Sequence, residues 1–355
     1  MAASGGQSRV RVDLAVVGAG AAGLVTAVMA RRAGLTVALY EHGDDFSQSA
    51  AWRAGGMLAP YCEADGAEGD VIRLGLRSMR LWPSLYSDIR REGTLVVAPP
   101  RDLAGLQRFS RVTEGHEPVD ASEIARLEPD LAGRYRSGLF FPAEGHLNPR
   151  EVMPALLGEL EREGVAVTFG WTGEVGDLAA DRVADCRGMG ARLPRSRRSC
   201  RSRGMGARDR FTDLRGVKGE MAVIRAPDVA LNRPVRLLHH RHPLYVVPRG
   251  GGVHMIGATT VESDAGEAVT VRSAGELLTQ AYAVHPAFGD AEIVEFNVGL
   301  RPAFPGNEPR IVDGGRVIAV NGLYRHGWLI APAMAEIVVG RLLGTVAEHE
   351  VLTCA

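Results

Sequence analysis

The stretch Val10–Glu41, VRVDLAVVGAGAAGLVTAVMARRAGLTVALYE, decides the fold. Val10 to Val17 is an apolar run rich in β-branched residues, as in a strand buried on both faces. Gly18-Ala-Gly-Ala-Ala-Gly23 follows, and Leu24 to Arg32, alanine-rich with a basic end, reads as a helix stopped at Gly34. Leu35 to Tyr40 is a second buried strand ending at Glu41. Strand, helix and strand in this order make one βαβ unit and bring a parallel sheet with them. The spacing Gly18-x-Gly20-x-x-Gly23 is weak by itself: with 44 glycines in 355 residues, about 0.7 such windows arise by chance. Its place between a buried strand and a helix, with an acid at Glu41, gives it weight. Gly18 permits the tight turn, Gly20 lets the backbone approach a pyrophosphate, and Gly23 lets helix pack on strand. The free N–H groups and positive end of the helix hold phosphate, and Glu41 accepts hydrogen bonds from a ribose. A dinucleotide site follows; the motif leaves NAD and FAD both open.

Outward from this unit, residues 42–69 are rich in Gly, Ala, Ser and Asp and read as an extended loop. The spacing of Ile72, Leu74, Leu76, Met79, Leu81, Leu85 and Ile89 predicts a helix over 71–91, broken near Pro83. Weaker helix signals occupy 102–114 and 121–128. Residues 140–148 read as strand and turn. Asn148-Pro149, an N-cap followed by proline at the first helical position, opens a helix to about Glu163. Short strands are expected over 165–169 and 182–186. After Gly219 strands dominate (220–225, 244–247, 253–257 and 292–300), interrupted by a helix over 272–284. The chain finishes with a strand over 316–321, the turn Gly322-Leu-Tyr-Arg-His-Gly327 and a helix over 328–343. The hexapeptide Arg-Gly-Met-Gly-Ala-Arg stands at 187–192 and recurs unchanged at 203–208. The segment between the copies, LPRSRRSCRS, is basic without apolar periodicity. It reads as a solvated loop or a local duplication rather than a nucleic-acid contact.

Composition narrows the function classes. Lys and Arg number 41 against 42 Asp and Glu, a formal charge of −1, so nothing electrostatic points to nucleic acid or an anionic membrane as partner. With 46% hydrophobic and 23% charged residues the chain is globular, and its length suits two domains sharing an interface. Cys62, Cys186, Cys200 and Cys354 are sparse and lack CxxC spacing, against a disulfide framework or structural zinc. His239, His240 and His242 cluster without a carboxylate or cysteine at ligand spacing, so no metal site is expected. No Gly-x-Ser-x-Gly elbow appears. Apolar runs fall short of the roughly 20 residues a membrane span needs, and the first residues lack the apolar core of a secretory signal; a cytoplasmic location is expected.

Three further landmarks carry chemistry. Ser49-Ala-Ala-Trp-Arg-Ala-Gly-Gly-Met-Leu-Ala-Pro60 places small residues beside Gly55-Gly56, so backbone can lie against a flat or phosphorylated ligand. Gly299-Leu-Arg-Pro302 sets an arginine just after an apolar strand. Asn321-Gly-Leu-Tyr-Arg-His-Gly-Trp-Leu-Ile-Ala-Pro-Ala333 sets a second glycine-flanked helix start after a buried strand. Two helix N-termini at opposite ends of the chain suit one long cofactor, one facing a pyrophosphate, the other the electron-rich edge of a ring.

Together GAGAAG with Glu41, RAGGMLAP, GLRP and NGLYRHGWLIAPA resemble the D-amino-acid-oxidase superfamily of flavoproteins, over nearly the whole chain. Within it they look most like the glycine oxidases of thiamine biosynthesis. The resemblance implies an α/β fold with a Rossmann-like FAD-binding domain split over 1–68, 149–217 and 302–355. A substrate-binding domain with a mixed or antiparallel sheet would take 69–148 and 218–301, with 192–208 an inserted, duplicated loop. It implies non-covalent FAD, with Gly18, Gly20 and Gly23 shaping the phosphate turn and Ala21 and Ala22 touching the pyrophosphate. Glu41 and His42 would meet the adenosine ribose, and the backbone of Val175 the adenine. Ala50, Ala51, Gly55, Gly56 and Met57 would line the flavin, and Leu323, Tyr324, Arg325, His326, Gly327, Trp328 and Leu329 would wrap the isoalloxazine edge.

The resemblance also implies a reaction: oxidation of glycine, sarcosine or small D-amino acids to the imine, with O₂ reduced to H₂O₂. Iminoacetate would pass to the thiazole synthase, and relatives of this kind are often tetramers. Arg301 would clamp the substrate carboxylate with two parallel bonds, Tyr245 would hydrogen-bond the same group, and Arg325 would lie beside the substrate. The amine reacts neutral, so no residue is assigned as acid or base. Two other readings stay open: a D-amino-acid dehydrogenase passing electrons to a quinone, and an FAD-binding protein without turnover. The family runs on shortly from DCRG to DLRGVKGEM; here the duplicate separates Asp185–Gly188 from Asp213–Met221, and either copy can take the FAD-facing turn.

Overall fold

The computed structural model describes residues 11–62, 69–192, 211–239, 243–265 and 268–354. The opening pattern folds as strand Val12–Val17 (β1), helix Ala21–Arg32 (α1) and strand Val37–Tyr40 (β2), with β1 and β2 parallel and Leu14 beside Val37. Met57–Leu58 (β3) is a short strand in the long loop after β2. Helix Gly69–Leu85 (α2), strand Thr94–Val97 (β4), helix Leu103–Val112 (α3), strand Glu117–Asp120 (β5) and helix Ala121–Leu127 (α4) follow. Next come strands Ser137–Phe141 (β6) and Gly145–His146 (β7), helix Pro149–Arg162 (α5), and strands Ala166–Thr168 (β8) and Ala180–Asp185 (β9). Asn148 caps α5 as its sequence predicts, its side chain accepting from Arg150 N at 3.2 Å.

The second half opens with the long strand Arg215–Arg225 (β10), then Val235–Leu237 (β11), Leu244–Gly250 (β12) and Val253–Gly257 (β13). Helix Val271–Val284 (α6), strands Glu292–Ala303 (β14), Arg310–Gly314 (β15) and Val317–Asn321 (β16), helix Gly327–Leu342 (α7) and strand Leu352–Cys354 (β17) complete it.

Two large sheets organise these elements. A seven-stranded sheet runs β17-β15-β16-β9-β1-β2-β8, parallel except where β15 meets β16. An eight-stranded sheet runs β14-β10-β13-β12-β11-β4-β6-β5, antiparallel except for β11 beside β4. The β1 and β2 strands, α1, α5 and α7 share one core with Leu14, Leu24, Leu156 and Met334 buried, and α2 buries Leu74, Met79 and Trp82 in the same core. Apolar around nearly its whole circumference, α7 is buried accordingly.

Two expectations need correction. The helix over 71–91 does not break at Pro83: α2 runs past it and stops at Leu85, with Ile89 beyond its end. Pro83 lies so near the end of the helix that its missing N–H costs only a last-turn bond. Strands β4, β5, β11, β15 and β17 were not legible. They are three to five residues long, and β5 (EPVD) buries only Val119, so no alternation develops. Among the described residues no helix is long and apolar enough to cross a membrane.

Candidate functional site

Between the sheets lies a cavity of 710 Å³, within the size range of cofactor and ligand sites. Its floor is the start of α1. Gly18 adopts φ +100°, and a Cβ there would stand 2.5 Å from Cys186 O, so β1 and β9 can approach only at a glycine. A Cβ on Gly23 would stand 1.7 Å from Gly18 O, which is why helix and turn can stack. A Cβ on Gly20 would meet nothing within 4 Å, leaving the helix N-terminus open to the cavity. Glu41 at the end of β2 accepts from Ala19 N at 2.5 Å and Gly43 N at 3.0 Å, so its carboxylate is fixed at the rim. His42 Nδ1 lies 3.3 Å from Trp171 O.

The loop after β2 forms one wall. Gly56 (φ +73°) passes so close to Leu147 O that a Cβ would stand 2.2 Å away. Ala51 O accepts from Trp328 Nε1 at 3.0 Å, tying this wall to the start of α7. The far wall begins at β16: Asn321 Oδ1 accepts from Gly322 N at 2.9 Å, and its Nδ2 donates to Gly188 O at 2.9 Å. Tyr324 takes the left-handed conformation, φ +47°, and its N–H donates to Pro302 O at 3.0 Å. That backbone strain in a non-glycine residue sits at the turn into α7.

The eight-stranded sheet roofs the cavity with Gly219 and Met221 of β10, Tyr245 of β12 and the Gly299–Pro302 stretch of β14. In this sheet Val217 pairs with Arg301 and Gly219 with Gly299. Arg301 therefore reaches diagonally across Gly219, which has no side chain to block it. A Cβ on Gly219 would stand 2.3 Å from Nη2 and 2.4 Å from Cζ of Arg301. Arg301 Nη1 donates to Thr259 O at 3.0 Å.

Of the sequence-derived residues, Gly18, Gly20, Ala21, Ala22, Glu41, His42, Ala50, Ala51, Gly56, Met57, Tyr245 and Arg301 line the cavity, as does the whole run Leu323–Leu329. Gly23 and Gly55 stand behind the lining, Gly55 packed so that a Cβ would meet Tyr245 Cε2 at 3.0 Å. Val175 does not line it: it begins a short 3₁₀ turn and is buried with Ala15, Val17 and Leu178. Trp171, Thr172 and Gly173 line the cavity in that region instead. The first hexapeptide copy, 187–192, forms the turn beneath the cavity, with Arg187, Gly188, Met189 and Gly190 lining it. Residues 193–208, with the basic segment, Cys200 and the second copy, lie outside the described residues, as do His240 and His242. His239 Nε2 lies 3.1 Å from Arg101 Nη2.

A sequence profile described as FAD dependent oxidoreductase matches residues 13–341. The chain belongs to the FAD-dependent oxidoreductase family. It is 48% identical over 338 residues, 94% of this chain and 98% of the relative, to the thiamine biosynthesis oxidoreductase ThiO of Rhizobium etli. It is 27% identical over 374 residues, 96% of each chain, to the glycine oxidase of Bacillus licheniformis. The crystal structure of glycine oxidase from Geobacillus kaustophilus superposes with a TM-score of 0.80 at 23% identity, covering 96% of both chains, which shows a common Rossmann-type α/β fold.

The family's FAD fits the donors present. The open N-terminus of α1 offers backbone N–H groups to phosphates, and the cavity continues from there to the N-terminus of α7, where a Cβ on Gly327 would likewise meet nothing within 4 Å. Sequence reasoning missed Gly219, Met221, Arg187 and Asn321. Gly219 has no signal of its own, because its role appears only when β10 pairs with β14.

Proposed function

We propose that this FAD-dependent enzyme oxidises glycine, and small amines or D-amino acids such as sarcosine, to the imine with O₂ reduced to H₂O₂. The iminoacetate so formed would supply the thiamine thiazole ring. The observation that carries the reading is Arg301 laid over Gly219 beneath the roof of the cavity, with Tyr245 in the same lining. A guanidinium held flat there meets a planar carboxylate with two parallel bonds and so orients the Cα–H of an α-amino acid. Bound flavin supplies the two-electron acceptor. The names of the Rhizobium and Bacillus relatives support both the pathway and the substrate. Arg301 and Arg325 in the lining disfavour a second positive charge and so favour the neutral amine over the ammonium form. An imine hydrolyses in water, so its use in biosynthesis requires a consuming enzyme near at hand.

Anaerobic addition of glycine or sarcosine to the purified yellow protein tests this, and the visible absorbance of the oxidised flavin should bleach. Peroxide should accumulate when air is admitted. A flavin that no small amino acid reduces would refute the proposal. Arg301→Ala should raise the KM for glycine by about 10- to 100-fold, the loss of a charge-assisted contact of about 1.5–3 kcal/mol.

A further inference from the structure

We propose that Glu220 is a positioning residue for Arg301, acting through Thr259 from the opposite face of the roof sheet; the proposal rests on the reading of Arg301 as the carboxylate clamp. Side chains alternate along β10, so Gly219 and Met221 face the cavity while Lys218 and Glu220 face the other way, toward α6. Glu220 is 1% exposed. Its carboxylate accepts from Lys218 Nζ at 2.9 Å, Thr270 N at 2.8 Å, Thr259 Oγ1 at 3.0 Å and Ser273 Oγ. Burial opposes its ionisation, but these donors outweigh burial and pull it down to about 2.

Thr259 is tied to Glu220 three times. Its N–H donates to Glu220 O at 3.1 Å, its Oγ1 accepts from Glu220 N at 2.9 Å, and the same hydroxyl donates to the carboxylate. The carbonyl of Thr259 then accepts from Arg301 Nη1, and that of Lys218 lies 3.5 Å from the same nitrogen. Two of the three residues whose side chains grip Glu220, Lys218 and Thr259, thus present the carbonyls that aim Arg301. A buried ion pair is weak evidence for stability, since desolvation offsets its attraction. Here it fixes a frame. A long guanidinium side chain held on fixed acceptors loses less freedom when it binds a carboxylate.

Thr259→Val and Thr259→Ser in the FAD-loaded enzyme, with Glu220→Gln beside them, test the proposal. Removing one aiming hydroxyl should raise the KM for glycine and the calorimetric Kd for acetate together by about 5-fold, with kcat changed less than about 2-fold. Thr259→Ser, which keeps the hydroxyl, should stay near the parent in both. Glu220→Gln should shift both constants in the direction of Thr259→Val; if that variant does not fold, the threonine pair decides. A lower Tm for Thr259→Val with unchanged KM and acetate Kd would reduce the network to a structural one and overturn the proposal. Arg301→Ala is the control: should it also leave both constants unchanged, the clamp reading fails and takes this proposal with it.

Discussion

Replacing Gly219 by alanine tests the placement of Arg301 most directly. The new Cβ would stand 2.3 Å from Nη2, 2.4 Å from Cζ and 2.6 Å from Nη1 of Arg301. Ordinary contact begins near 3.4 Å, so the guanidinium must retreat by about 1 Å, the difference between 3.4 and 2.3 Å. The atoms that move are the end of a flexible chain, so folding loses little. Alanine in a strand also restricts the unfolded chain, a gain of about 0.5–1 kcal/mol. Binding bears the loss: a charge-assisted pair worth about 1.5–3 kcal/mol goes out of register, lowering kcat/KM for glycine by about 10- to 100-fold. The assay is steady-state peroxide formation against glycine concentration, with FAD content and thermal melting measured on the same preparation. The expected result is a large rise in KM with FAD content and Tm held. An unchanged kcat/KM would refute the argument, and so would loss of FAD with normal kinetics in the fraction that stays loaded.

The structure predicts a definite pH dependence of stability. His146 and His254 are each 2% exposed. Burial holds His146 neutral, with Arg249 and Arg90 adding to it, down to about 3, and burial holds His254 down to about 4. Between about pH 6.5 and 4 the unfolded chain binds both protons and the folded chain neither, so stability falls on acidification by about 1.4 kcal/mol per histidine per pH unit. Denaturant unfolding at pH 7.5 and 5.5 should differ by about 2–3 kcal/mol, and equal values would show that these histidines titrate normally. Excising residues 193–208, which joins Arg192 to Asp209, should leave FAD affinity within about 2-fold, because the first hexapeptide copy already forms the cavity turn and loop length costs little. Loss of FAD on excision would assign that turn to the second copy.

The βαβ unit was fully legible because its signals are local: β-branched burial, glycine spacing and a terminal acid all fall within thirty-two residues. The same holds for α5, with Asn148-Pro149 at its start, and for α7, apolar around nearly its whole circumference. Short strands such as β5 and β11 were not legible, since three or four residues buried by distant neighbours carry no period. Legibility at the site divides along the same line. Residues 18–22 and 323–329 sit in turns that announce themselves, whereas Gly219 matters only because the register of β10 against β14 lays Arg301 over it. Val175 is the converse case. A residue carried over through a weakly marked segment landed in the core, a few positions past the stretch that lines the cavity.

The lining is drawn from separate stretches of the polypeptide, within 17–22, 41–57, 171–173, 186–190, 219–221, 299–302 and 320–329, together with Tyr245. No contiguous fragment owns the cofactor surface, so a cut between any two of these stretches divides the ligand's contacts between pieces. A dinucleotide seated there bridges both sheets at once and stabilises them by mass action as a single body. Loss of order in either sheet is then felt as weaker cofactor retention, and saturating FAD should merge the unfolding of the two halves into one transition.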